Sequence, residues 1–271
     1  MWRNHSGRCS HTCAREKGPQ TRGIIRYVLE GLDQINWASI KHAYGPATDL
    51  PGLLKHLLSK KEKLRSEAIS ELYGNIWHQH TVYEATAHAV PFLIELLQSP
   101  ATHGRASIAK LLGLIARGRS YHEVHDPSKK AEVARELLWV KNARDAVRKG
   151  IEPCLKLLTA GDQELRGSIA HLLACFPEDG AGTRQPILGA LAAESEPNVR
   201  AALGLALALL GELHSQAFRS SKPTDLALDR LELLARAAKQ GTVDTEDTLS
   251  ILLDLGTNSF EQEQLGDLGI R

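Results

Sequence analysis

Four segments of the chain share one skeleton: a Pro, an apolar run, a short polar turn, an Arg and a second apolar run. The Pro–Arg pairs are Pro51–Arg65, Pro91–Arg105, Pro153–Arg166 and Pro186–Arg200, separated by 14, 14, 13 and 14 residues. This periodicity constrains the fold more than any other feature. Units that cannot bury an apolar face alone must stack on their neighbours. Each unit reads as a first helix, a tight turn and a second helix. Leu53, Leu54, Leu57 and Leu58 form the i, i+1, i+4, i+5 stripe of a helix with one buried face. Asp162 has the residue type and position of an N-cap for the third unit's second helix. In the fourth unit Leu203, Leu205, Leu207 and Leu209 alternate as in a strand, but the length and Ala content of "AALGLALALLGEL" decide for a buried helix. The expected fold is all-α, an α-solenoid (α-α superhelix) of stacked helical hairpins.

Around this array the chain divides by composition. Residues 1–23 are polar, basic and aperiodic, which reads as a disordered tail. Translation starting near Val28 is one expectation for this end. Residues 24–48 read as a helical addition, 49–212 as the repeats, 213–255 as a divergent helical pair that caps the open core, and 256–271 as a polar tail. Successive prolines of the skeleton lie 40, 62 and 33 residues apart, so the long middle step holds an insertion at about 118–149.

Composition narrows the function. Aromatics are 5% of the residues, too few, with sparse β-branched residues, for a large sheet. The 33 basic and 32 acidic residues give a net charge of +1, which argues against nucleic acid and anionic membranes as partners. The most apolar stretch, Ala201 to Leu213, falls short of the roughly 20 residues that span a bilayer. Cys9, Cys13, Cys154 and Cys175 are too few and too scattered for a disulfide scaffold and fit a reducing cytoplasm. No nucleotide-binding or nucleophile-elbow motif occurs.

The skeleton resembles the HEAT repeat family of armadillo-like solenoids. "PNVRAALGLALALLGEL" is similar to a HEAT second helix, and "HQHTVYEATAHAVPFLIELL" resembles a segment of uncharacterised bacterial HEAT-like proteins, where a Gly often replaces His80. The resemblance spans about residues 49–212. It implies a non-catalytic scaffold that binds another protein. A HEAT-like DNA glycosylase, a bilin lyase and a nucleic-acid-binding HEAT module are the alternatives.

Candidate site residues lie in the connections. "GNIWHQHTVYEATAHAVPFLIELL" contains His78, His80 and His88 beside Trp77 and Tyr83. Thr81 and Glu84 have capping-box spacing, which gives Glu84 an architectural role, and His88 follows it by one turn. Pro91 inside the following helix should kink it. "SYHEVHDP" contains Tyr121, His122, His125 and Asp126 between Ser120 and Pro127, which suggests a loop. Both connections follow second helices, so both should emerge on one edge of the stack. Trp77, His78, His80, Tyr83, Tyr121, His122, His125 and Asp126 are therefore expected to form one binding edge. No metal site and no cofactor are expected, because His-x-His in a connection is a weak ligand signal.

Arg65, Arg105, Arg166 and Arg200 read as an internal structural ladder. Glu62, Asp162 and Glu196 stand beside three of them at helix-neighbour spacing, which disfavours a phosphate-binding row. His5, His11, Cys9 and Cys13 lack a second half for a zinc site, and Cys154, Cys175 and His171 read as core residues.

Overall fold

Each Pro–Arg unit is a pair of helices in the computed structural model, which describes residues 29–219, 226–256, 260–261 and 263–268. The first pair is α1 (Leu50–His56) and α2 (Glu62–Ile76), and the second is α3 (Glu84–Gln98) and α4 (Arg105–Ala116). The insertion forms α5 (Tyr121–His125) and α6 (Lys130–Arg148). The third pair is a short α7 (Ile151–Cys154), extended by a 3-10 turn at Leu155–Thr159, with α8 (Gln163–Ala174). The fourth is α9 (Gly180–Ala193) and α10 (Pro197–Leu209). Then come α11 (Leu226–Gln240), α12 (Thr245–Gly256) and the short α13 (Glu263–Asp267). Among the described residues the fold is all-α, apart from one small hairpin. His5, Cys9, His11 and Cys13 lie outside the described residues.

The N-terminal segment differs from the helical addition expected there. It has 3-10 turns at Leu32–Gln34 and Trp37–Ser39, then β1 (Lys41–His42) antiparallel to β2 (Gly45–Pro46). Gly31 and Gly45, at φ 88° and 131°, take backbone conformations that end any helix there. Trp37 is buried against Phe92, with ring centroids 6.3 Å apart, so this segment covers one flank of α3.

The second helices carry the core. α8 packs against α4, α10 and α12. The α8–α12 crossing is close because both helices place glycine there: a Cβ on Gly167 would collide with the Gly256 backbone. Leu203, Leu205 and Leu207 are all fully buried in α10, so its alternating leucines sit on a helix submerged on every side. α6 packs against α3 and α4.

The arginines do the same work in three of the four pairs. Nη1 of Arg65, Arg166 and Arg200 donates to the carbonyl six residues earlier, that of Ser59, Ala160 and Glu194, at 2.9, 2.8 and 2.9 Å. Those carbonyls lie just past each first helix, where four C=O groups lack an intrahelical partner. The guanidinium thus ties the end of one helix to the start of the next. The acids expected beside these arginines are not their partners. Asp162 instead caps α8, accepting from Glu164 N and Leu165 N at 3.0 and 3.2 Å. Arg166 forms a two-pronged pair with Glu194, at the end of α9 in the next unit, at 2.6 and 2.9 Å. Fork geometry selects an acid facing the guanidinium plane over one a turn away on the same helix. Arg105 starts α4 after Gly104, whose φ is 68°.

His171 is wholly buried in α8, and burial pushes its pKa down to about 3, with Arg117 and Lys110 adding to the shift. The neutral ring fills the space over Gly113, where any Cβ would meet it. Burial likewise pushes the Cys154 and Cys175 thiols up to about 12, so both remain protonated core groups.

Leu205→Ala is expected to cost about 2–5 kcal/mol as a core cavity, and Leu205→Asp more, since it also buries an unpaired charge. Urea denaturation of both variants checks this. Unchanged midpoints would refute the burial.

Candidate functional site

The edge begins where α2 ends. Trp77 terminates α2 in an extended conformation, and His78 to Thr81 then forms a tight turn. His78 N and Thr81 N each bond the other's carbonyl, at 3.0 and 2.9 Å. Gln79 and His80 sit at φ 47° and 69°, the left-handed region that non-glycine residues seldom occupy. A glycine at either position would relieve this strain.

The capping box expected at Thr81 and Glu84 does not form. α3 starts at Glu84 with Tyr83 as N-cap, so Thr81 lies too early and belongs to the turn. Its buried hydroxyl donates to His78 O at 2.7 Å and lies 2.8 Å from Tyr83 Oη. The joining role falls to Thr86. Its hydroxyl accepts from Tyr83 N at 3.0 Å and donates to Ile76 O at 2.8 Å, linking the end of α2 to the start of α3. His88 is exposed on α3, away from this turn.

The second connection lies directly against the first. Arg119 N donates to His80 O at 2.8 Å, and Val82 N donates to Arg119 O at 3.0 Å. Gly118 permits this approach, since a Cβ there would collide with Val82. "SYHEVHDP" is not an open loop. Ser120 caps the short helix α5 by accepting from Glu123 N at 3.1 Å. Ser-x-x-Glu is a helix-start signature, and it outweighs the Pro signal that suggested a loop.

One buried carboxylate organises the second connection. Glu136, on α6, accepts from Ser120 Oγ and His122 N at 2.8 Å each, and from His122 Nδ1 at 2.6 Å. Burial pushes its pKa up, but these three hydrogen bonds outweigh burial and hold the carboxyl below its ordinary value. The pairing makes Nδ1 the donor and orients the imidazole, the arrangement that fixes the tautomer of a general base or a metal-bound histidine. Among the described residues, however, no group of three or more His, Cys, Asp or Glu could hold a metal ion.

The rings pack in local clusters at each connection. Tyr121 packs on His122 and His125, with centroids 5.3 and 4.6 Å apart. Trp77 is half-buried between Tyr73 and His80, at 6.2 and 5.2 Å. Burial raises the pKa of Tyr83 against the opposing effect of its hydrogen bond with Thr81. Asp126 turns away, bonded to Ser128 and 3.8 Å from Lys129. Of the eight expected residues, Trp77, His78, His80 and Tyr83 thus lie at or beside the first connection and Tyr121, His122, His125 and Asp126 in the second, and the backbone bonds of Arg119 join the two connections.

Sequence reasoning missed Tyr44, Ser120 and Glu136. Tyr44 is 69% exposed at the tip of the N-terminal hairpin, with its ring 5.5 Å from His78. The hairpin is placed by His42 Nε2, which donates to Asp49 at 2.9 Å, and by Asn75, which donates to the other Asp49 oxygen at 2.7 Å. Comparison with known proteins identifies no relative: no family model matches the chain, and neither a curated protein nor a solved structure does.

The Glu136 cage has a defined pH dependence. Its folded pKa is depressed, so its stabilisation is fully present above the ordinary carboxylate value of about 4.3. It is lost as the pH falls through the lower folded value. Glu136→Gln should therefore flatten the acid side of a plot of melting temperature against pH. An acid limb identical to the parent's would remove Glu136 from this role.

Proposed function

We propose that the chain is a HEAT-like α-solenoid that binds another protein through the edge built from the α2–α3 connection and the α5–α6 insertion. The observation that carries this reading is where apolar surface is exposed. Of seven large hydrophobic side chains exposed among the described residues, Tyr121, Val124, Leu137 and Leu138 stand on α5 and α6, and Tyr44 stands over His78. Leu137 and Leu138 are 43% and 56% exposed side by side on α6, which nothing in the chain's own packing requires. Aromatic anchors on a rigid frame favour binding, because little conformational freedom is lost on contact. The frame here is rigid for a stated reason: the Glu136 hydrogen bonds and the two inter-connection backbone bonds hold it. Trp77 supports this surface from below, and its truncation would cost stability as well as contact.

Support for the solenoid reading comes from the pairwise packing of successive second helices and from the repeated Arg-to-carbonyl bond. Among the described residues no helix is long and apolar enough to cross a membrane. The near-zero charge balance speaks for a protein partner over nucleic acid.

The test is affinity capture with the full chain against a Tyr121→Ala/Leu138→Ser variant, read by quantitative mass spectrometry. The expected result is one protein enriched by the parent and reduced about tenfold or more by the variant, the scale of a lost hot spot. The melting temperature should stay close to the parent's, because both residues are exposed. Enrichment that survives the double variant would overturn the edge as the docking surface.

A further inference from the structure

α9, the start of α10 and the 3-10 turn at Ser215–Phe218 enclose a cavity of about 680 Å³ that shares no wall with the edge. Leu188, Leu191 and Leu213 give it an apolar side, and Arg200, His214 and Arg219 give it a basic one. No carboxylate is among the described residues that line it.

The two arginines carry charge that the fold does not cancel. Arg200 donates through Nη1 to Leu191 O and Glu194 O at 3.3 and 2.9 Å, and through Nη2 to Gln216 O at 2.9 Å. All three acceptors are neutral carbonyls, so they fix the guanidinium without neutralising it. The equivalent Arg166 of the third pair is neutralised by its fork with Glu194. After α10 the chain supplies a backbone carbonyl where the third pair meets an acid. The Arg219 side chain is exposed, and it makes no hydrogen bond or ion pair among the described residues. The acids close by are already engaged. Glu212 lies 3.8 Å from Arg184 and 3.1 Å from His214. Glu232 is bonded by Ser215 and Arg236. Each acid thus has its own arginine, and the charges of Arg200 and Arg219 are left over.

A phosphate monoester carries about −1.5 to −2 charge at neutral pH, which matches two guanidinium groups where a carboxylate would match one. A guanidinium also presents its donors in a planar fork that fits two phosphoryl oxygens at once. The leucine side suits an apolar substituent, and the volume is that of a small-molecule site. We propose that this cavity binds a small organic phosphate monoester, with the phosphoryl group between Arg200 and Arg219 and the organic part against Leu188, Leu191 and Leu213. The ligand is then held at the C-terminal end of the repeats, independently of the partner edge.

Calorimetric titration of the full chain with phenyl phosphate at low ionic strength tests this. The expected result is one site per chain with a Kd of about 1 mM or tighter. Arg219→Gln should weaken it about tenfold or more, the scale of a lost charge-assisted fork. Ala192→Glu, which sets a carboxylate at the cavity from an exposed position, should do the same. Both variants should melt close to the parent, because neither side chain is buried. Three outcomes would overturn the proposal. One is no saturable heat at roughly 10 mM phenyl phosphate. The second is an affinity unchanged in either variant, which would put the bound molecule elsewhere. The third is inorganic sulfate or benzoate binding as tightly as phenyl phosphate, which would make the cavity a site for an adventitious ion only.

Discussion

One bond recurs where the architecture needs it most, from an arginine on the first turn of a second helix to a carbonyl at the end of the first. A helical hairpin with a turn of five or so residues leaves orphan carbonyls at the first helix's end, close to the second helix's start. A guanidinium presents several donors in one plane, so it satisfies those carbonyls and still reaches sideways. Arg166 uses its remaining donors on Glu194 of the following pair, whose side chain is 5% exposed. Arg200 reaches Gln216 O beyond its own pair at 2.9 Å. The same residue that closes a hairpin therefore joins it to the next.

The edge shows the opposite logic, local strain tolerated for position. Gln79 and His80 hold left-handed backbone conformations that cost energy. They are retained because His78–Thr81 closes as a two-residue turn and because His80 O and Val82 N are committed to Arg119. Gly118 gives the room. Together these bring a connection from one pair within hydrogen-bonding distance of the next. Buried Glu136 then fixes the imidazole of His122 from behind. A buried carboxylate is expensive unless fully bonded; this one accepts three hydrogen bonds, which is why it can stay ionised there.

How much of this was legible in the sequence depends on the range of the interaction. Helix pairs, the Asp162 cap, the buried α10 leucines and the meeting of the two connections followed from spacing alone, because periodicity and turn direction are local or repeat with the unit. The capping box was misplaced by two residues, since Thr81 satisfies the same spacing rule as the actual Tyr83–Thr86 start and only the turn geometry separates them. The acids beside the arginines were adjacent in sequence but poorly placed for the guanidinium fork, and Glu194 lies 28 residues away. Glu136 sits in a helix with charges throughout, where nothing marks one glutamate as buried. Tyr44 could be placed only once Asp49 and Asn75 had seated its hairpin.

The covered second-helix surface explains why an edge is the place to look for binding. α12 lies along α8 and α10. Arg117, at the end of α4, donates through Nε to Glu246 of α12 at 2.8 Å, and its side chain is only 12% exposed. Leu249, Ile251, Leu252 and Leu255 of α12 are all buried, so α12 contributes its own apolar face to the core. The stretch of second helices that stacking would otherwise leave open is filled by the chain's own last pair. Among the described residues, five of the seven exposed large hydrophobic side chains, Tyr44, Tyr121, Val124, Leu137 and Leu138, stand on the N-terminal hairpin and the insertion, away from that buried stack.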